Sequence, residues 1–137
     1  MGATGKVALD TSVIVAALRR QPGILEHLRG AGELWVPLFV LGELEYGANR
    51  ASRPDRQKEA IRIFMLSAGV LLPTGGTAAE YGRIKAALAQ AGTPIPENDI
   101  WIAALASENQ IPLATLDDHF HRISGLSRLD WSAPSKP

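Results

Sequence analysis

Asn98-Asp99-Ile100-Trp101-Ile102-Ala103-Ala104, and the stretch it runs towards, Thr115-Leu116-Asp117-Asp118-His119-Phe120, decide the fold. From Ile100 to Ala106 every residue is apolar. A helix that is apolar all round is a buried helix. It ends near Ser107-Glu108-Asn109, and Pro112 opens Leu113-Ala114-Thr115, a short apolar run of strand character. One acid, Asp99, stands at the mouth of the helix, and another, Asp117, stands just past the strand. Taken singly, the first reads as a cap and the second as a turn residue. A carboxylate at the mouth of a buried helix is nevertheless costly unless something positive meets it. A second carboxylate close by points to a hard divalent cation, which takes oxygen ligands.

Outward from this stretch, short apolar runs alternate with helical patterns. Val7-Ala8-Leu9 is a buried strand that ends on Asp10. Thr11 and Ser12 open a helix over Val13 to Leu18, which Pro22-Gly23 breaks. Ile24, Leu25 and Leu28 make a short second helix, stopped by Gly30 and Gly32, and Leu34-Trp35-Val36 is a strand ended by Pro37. Phe39 to Ala48 is a helix with Val40, Leu44 and Ala48 as its stripe. Its two acids, Glu43 and Glu45, are two apart and point to nearly opposite faces, so only one looks inward. Asn49 to Pro54 is a loop. Ile61, Phe64, Met65 and Ala68 then recur at amphipathic helical spacing, with Arg56, Lys58 and Arg62 on the other face. Val70-Leu71-Leu72 is a third strand, closed by Pro73. Thr77-Ala78-Ala79-Glu80 is a capping box for a helix whose stripe is Tyr81, Ile84 and Leu88 and which Gly92 ends. Ser127 to Trp131 is a fifth strand candidate.

This alternation, with no hairpin signal, predicts an α/β fold in three layers: a central parallel sheet of four to five short strands flanked by helices. In open sheets of this kind ligands gather at the carboxyl ends of strands. Asp10, Asp99 and Asp117 fall at strand ends or helix mouths, and Glu43 is a fourth candidate. Clustered carboxylates repel one another without a cation. With no cysteine and no well-placed histidine in the sequence, the set favours magnesium or manganese over zinc.

The 137 residues form one domain, 1–137, in which 1–6 precede the first strand and 132–137 are a tail. A composition of 46% hydrophobic and 20% charged residues is that of an ordinary globular chain. Zero cysteines exclude disulfides, zinc–thiolate sites and thiol catalysis, and fit a reducing cytoplasm. No apolar run is long enough to span a bilayer, and the first residues lack a signal-peptide pattern. The glycines of Gly2 to Lys6 are too close together for a phosphate-binding loop. A formal net charge of zero argues against nucleic-acid binding by bulk charge. RNA would have to be held locally, and from Arg50 to Arg62 the bases Arg50, Arg53, Arg56, Lys58 and Arg62 face only Asp55 and Glu59.

Four motifs in this order resemble those of the PIN-domain family, and within it the VapC-type toxins of prokaryotic toxin–antitoxin pairs. Leu9-Asp10-Thr11-Ser12-Val13 resembles the first motif, through Asp10. Gly42-Glu43-Leu44-Glu45-Tyr46-Gly47 resembles the second and selects Glu43 over Glu45. The stretch around Asp99 resembles the third, and Thr115, Asp117 and Phe120 resemble the fourth. Each motif is weak alone; four at compatible spacing over nearly the whole chain are strong. The departures are a few extra residues before the first strand and Asp118 beside Asp117. The resemblance implies a Mg²⁺- or Mn²⁺-dependent ribonuclease, cytoplasmic and homodimeric, neutralised by a VapB-type antitoxin. It implies Asp10 and Asp99 as direct metal ligands, Glu43 acting through water or on the nucleophile, and Asp117 completing the pocket or holding a second ion. Thr115 and Ser12 would hydrogen-bond a ligand carboxylate. His119 is a possible general base but has no visible orienting partner in the sequence. The alternatives are a PIN-like RNA-processing nuclease and a non-catalytic binding module outside a toxin–antitoxin pair.

Overall fold

A computed structural model describes residues 5–132 and Pro134. The strands are Lys6–Leu9 (β1), Glu33–Pro37 (β2), Gly69–Leu71 (β3), Leu113–Thr115 (β4) and Arg128–Asp130 (β5). They form one sheet, parallel throughout, in the order β3-β2-β1-β4-β5. Six helices flank it in the expected three layers: Thr11–Leu18 (α1), Pro22–Gly30 (α2), Leu38–Arg50 (α3), Pro54–Phe64 (α4), Gly75–Ala91 (α5) and Glu97–Glu108 (α6). Short 3₁₀ turns occupy Met65–Ser67 and Asp118–Arg122. Most of the segment expected to precede the first strand, and most of the expected tail, lie outside the described residues. Among the described residues no helix is long and apolar enough to cross a membrane.

Apart from Lys6 at the start of β1 and Thr115 at the end of β4, the central strands β1 and β4 are apolar because helices cover both faces. Ala8 and Leu9 of β1 and Leu113 and Ala114 of β4 are fully buried. In α6, Ile100 and Ile102 through Ala106 are all buried. Trp101 stacks on Tyr81 of α5, centroids 3.9 Å apart, and on Phe39 of α3 at 5.6 Å. This sandwiched ring locks α6, and Asp99 with it, against two other helices.

Four local readings differ from the structure. Pro22-Gly23 does not merely break a helix: Pro22 opens α2, where proline's missing N–H costs nothing, while α1 gives way to a turn in which Arg20 has φ of 59°. Helix α3 runs on to Arg50, two residues into the expected loop. The amphipathic spacing holds through Ile61 and Phe64, but Met65 begins a 3₁₀ turn and Ala68 is already extended. The chain must turn there to lay β3 beside β2, and Gly69 slides under Trp35, whose ring would stand 2.6 Å from a Cβ. The capping box sits earlier than Thr77-Ala78-Ala79-Glu80. Thr74 is the cap: its Oγ1 accepts from the Gly76 N–H at 3.1 Å, and Thr77 Oγ1 accepts from the Thr74 N–H at 2.9 Å. Glu80 is unavailable for the box because Arg83 and Ser107 both donate to it, each at 2.7 Å.

Strand order decides where a site can form. From β1 the chain moves outward through β2 to β3, then crosses back to place β4 on the other flank of β1. The strand order therefore reverses between β1 and β4, and the crevice beyond their carboxyl ends is where open α/β sheets bind ligands.

Candidate metal centre

Asp10 follows β1 directly, tied to the neighbouring strand by its N–H to the Ala114 carbonyl at 3.0 Å. It stands at the N-cap of α1 but makes no side-chain cap bond to that helix. Instead its Oδ2 accepts from Ser12 Oγ and from Thr115 Oγ1, each at 2.8 Å. Both hydroxyls are themselves oriented: Ser12 accepts from the Leu116 N–H at 3.0 Å and Thr115 from the Asp117 N–H at 2.9 Å. Each proton is thus directed at Asp10, whose side chain is fixed from both sides of the crevice.

Three more acids reach the same crevice from three other elements. Asp99 lies in the first turn of α6, its side chain 13% exposed. Asp117 follows β4 and caps the 3₁₀ turn, accepting from the His119 N–H at 2.9 Å, so the turn role and the crevice position coexist. Asp118 is exposed. Glu43 of α3 accepts a hydrogen bond from Thr11 of α1, whereas Glu45 pairs with Lys58 at 3.1 Å on the surface. His119 Nδ1 stands 3.1 Å from Asp99 Oδ2 and 3.1 Å from Asp117 Oδ1.

Burial pushes the Asp10 carboxyl above its ordinary value of 3.8, against the lowering effect of Thr115, Ser12 and the Thr11 N–H; the Glu43 charge adds to the rise. Burial also raises Asp99, opposed by His119 and reinforced by the charges of Asp10, Asp117 and Glu43. Among the described residues no lysine or arginine forms an ion pair with any of the four acids. Oxygen donors on fixed elements, raised carboxyls and no resident cationic side chain fit a hard divalent ion, and Asp99, Asp117 and His119 have ligand atoms all within 4.8 Å of one another.

The raised carboxyls set a pH dependence. A carboxyl that holds its proton at higher pH in the folded state than in the unfolded chain makes the fold more stable as pH falls through the folded value. Metal-free protein should therefore gain thermal stability on acidification from neutrality towards 4.5. Glu80, drawn down from 4.5 to about 2 by Arg83 and Ser107, contributes stability that starts to fall away only below that point. Melting curves in EDTA across this window should rise for the wild type and stay flatter for Asp10→Asn with Asp99→Asn. Equal slopes would mean the two carboxyls are not under strain.

The basic residues after Glu43 are dispersed. Lys58 is paired with Glu45, and Arg62 grips Glu59 through two bonds of 2.9 and 2.7 Å. Arg50 lies over the Tyr46 ring, 5.4 Å from its centroid. Arg53 is exposed at the start of α4. Arg56 instead lines a cavity of about 500 Å³ between α1, α3 and α4, together with Thr11, Glu43 and, just past the end of α1, Arg19. Sequence reasoning missed Arg19, whose place in the same cavity as Arg56 depends on packing between distant segments. It also missed the contact of His119 with Asp99, because nothing near His119 in sequence announces a partner on α6.

The PIN-domain family model matches residues 7–126. This chain is a PIN domain. Among its relatives are Ribonuclease VapC2 of Haemophilus influenzae, 35% identical over 129 residues that cover 92% of this chain and 98% of that protein. The tRNA(fMet)-specific endonuclease VapC of Shigella flexneri is 30% identical over 130 residues, covering 93% and 98%. The PIN domain thus belongs to the VapC ribonucleases. Its fold is that of VapBC-1 from nontypeable Haemophilus influenzae, with a TM-score of 0.86, 28% identity, and coverage of 94% of this chain and 100% of that one. VapBC2 of Rickettsia felis, solved bound to a DNA fragment from its promoter, gives a TM-score of 0.87 at 23% identity, covering 93% and 99%.

Proposed function

We propose that this PIN domain is a divalent-metal-dependent endoribonuclease, the toxin of a VapBC-type pair, acting in the cytoplasm as a homodimer and neutralised by a VapB-type antitoxin. The observation that carries the reading is the convergence of Asp10, Glu43, Asp99 and Asp117, from four separate elements, on the crevice beside β1 and β4, with no Lys or Arg ion pair among the described residues to balance them. A non-catalytic module would have no use for such a cluster.

Asp10 and Asp99 are the direct ligands of Mg²⁺ or Mn²⁺ in this reading, since burial raises both carboxyls and makes each costly to leave charged without a cation. Glu43 works through water or orients the nucleophile, and Asp117 completes the pocket. Ser12 and Thr115 hold Asp10 by the two hydroxyl bonds described above, as ligand-orienting groups do. The ion supplies a more acidic water and shields charge on the scissile phosphate. Thr11 holds the Glu43 carboxylate in place.

Transfer RNA is the substrate class to test first, since two relatives are named as tRNA(fMet)-specific endonucleases. Incubation of initiator tRNA with the protein and Mg²⁺ should give discrete fragments, whereas an intact tRNA beside a cleaved ribosomal or messenger RNA would redirect the substrate without touching the chemistry.

Arg19 and Arg56 stand on the wall that Glu43 shares, so they are placed to hold the phosphate backbone. Arg19→Ala with Arg56→Ala should lower the log–log salt slope of RNA binding by between one and two units, at roughly 0.7–0.9 for each phosphate no longer neutralised. Arg62→Ala, whose charge is already matched by Glu59, should change the slope little. Equal slopes in the wild type and the Arg19/Arg56 variant would remove this wall from the RNA path.

A further inference from the structure

We propose that His119 is itself a ligand of the divalent ion, a nitrogen donor in an otherwise carboxylate site, and that it biases the site towards Mn²⁺ over Mg²⁺. The inference rests on the metal-dependent reading above and adds a donor that the four-acid pattern does not contain.

The geometry is specific. One nitrogen, Nδ1, lies 3.1 Å from Asp99 Oδ2 and 3.1 Å from Asp117 Oδ1, oxygens carried by different elements. A ring nitrogen bears at most one hydrogen and can direct it at only one of them. Asp117 Oδ1 already accepts the His119 backbone N–H at 2.9 Å. Equal spacing from two acids is instead the spacing of neighbours around an ion. With octahedral bonds of about 2.0–2.1 Å, adjacent donors stand about 3 Å apart and opposite donors about 4 Å apart. The two Nδ1–oxygen distances of 3.1 Å match adjacent donors, and Asp99, Asp117 and His119 each offer a ligand atom within 4.8 Å of the others.

The fold also holds the imidazole there. The Asp117 side chain accepts from the His119 backbone N–H, so ligand and ligand are clamped on one 3₁₀ turn, and Phe120, fully buried next in sequence, anchors that turn in the core. The chain has three histidines, and the other two stand elsewhere: His27 stacks on Trp131 and His121 meets the Asp118 carbonyl. Mg²⁺ prefers oxygen and water, whereas Mn²⁺ stands at the weak end of the transition-metal series that accepts nitrogen, so an imidazole donor tilts the site modestly towards Mn²⁺.

Pulsed electron paramagnetic resonance of the full chain loaded with Mn²⁺ tests this directly. The expected spectrum shows modulation from a directly coordinated imidazole ¹⁴N, absent in His119→Gln. Mn²⁺ affinity should fall in that variant by on the order of 10–100-fold, at least what loss of a supporting partner of a metal ligand costs. Mg²⁺ affinity, read by competition, should fall less. Mn²⁺ bound without nitrogen coupling in the wild type, or coupling that survives in His119→Gln, would overturn the role of His119 and leave the nuclease reading standing. No Mn²⁺ binding by the wild type would overturn both. Because the wild-type spectrum decides the first question alone, a poorly folding variant does not rescue the proposal.

Discussion

Asp99→Asn should abolish RNA cleavage while leaving the metal-free protein at least as stable as the wild type. Removing a carboxylate ligand takes away several kcal/mol of charge stabilisation in the transition state. At about 1.4 kcal/mol per tenfold, that is a loss on the order of a thousandfold in rate. Stability moves the other way because of where the side chain sits. Asp99 is nearly buried, and its carboxyl is raised by burial and by the charges of Asp10, Asp117 and Glu43. A neutral amide of the same shape escapes both penalties. What it gives up is an acid in the first turn of α6, worth about 0.3–1 kcal/mol against the helix dipole. Cleavage assays and melting in EDTA, run on the same preparation, check the two halves together. An inactive variant that also melts well below the wild type would make Asp99 chiefly a structural element of α6.

The second large effect is stabilisation by the ion. A ligand that binds only the folded state at one hundred times its dissociation constant adds about 2.7 kcal/mol. For a chain of this size that should raise the melting temperature by on the order of 10 °C. Mn²⁺ should do this to the wild type, and Asp10→Asn should lose most of the gain. The amide keeps an oxygen to accept from Ser12 and Thr115, so the local hydrogen bonds survive and the charge alone is removed. Wild type and variant responding alike would put the ion somewhere other than the crevice.

Much of the fold was legible because its signals are local. The run from Ile100 to Ala106 read as a buried helix and Leu113-Ala114-Thr115 after Pro112 read as a strand, and the structure has both. Short apolar strands without hairpin turns implied a parallel sheet, and the sheet is parallel. The order of the strands was not legible. Nothing in Leu113-Ala114-Thr115 says that it lies beside Val7-Ala8-Leu9 rather than beside β3; that follows from helices having to cover both faces. The capping box was misplaced because Thr77 and Glu80 fit the pattern by spacing, while the side chains that compete for them, Ser107 and Glu108, arrive from α6.

At the site, residue types were readable and partnerships were not. Periodicity could not choose between Glu43 and Glu45. The motif from Gly42 to Gly47 selected Glu43, and in the structure Thr11 reaches Glu43 while Lys58 takes Glu45. Thr115 and Asp10 are 105 residues apart, His119 and Asp99 are 20 apart, and no short-range pattern links either pair. The basic run after Glu43 looked like one group, yet Lys58 and Arg62 stand in surface ion pairs, Arg50 lies over Tyr46, Arg53 is exposed and Arg56 lines the cavity beside Glu43, because helix packing rather than sequence proximity decides which arginines stand near the acids.

Cleavage of RNA by the purified wild type with its divalent ions removed and then restored bears most directly on the central claim. Cleavage should stop in excess EDTA and return when Mg²⁺ or Mn²⁺ is added beyond the chelator. Asp10→Asn should stay inactive throughout. Cleavage that persists in EDTA, or that the Asp10 variant performs as well as the wild type, would contradict the account.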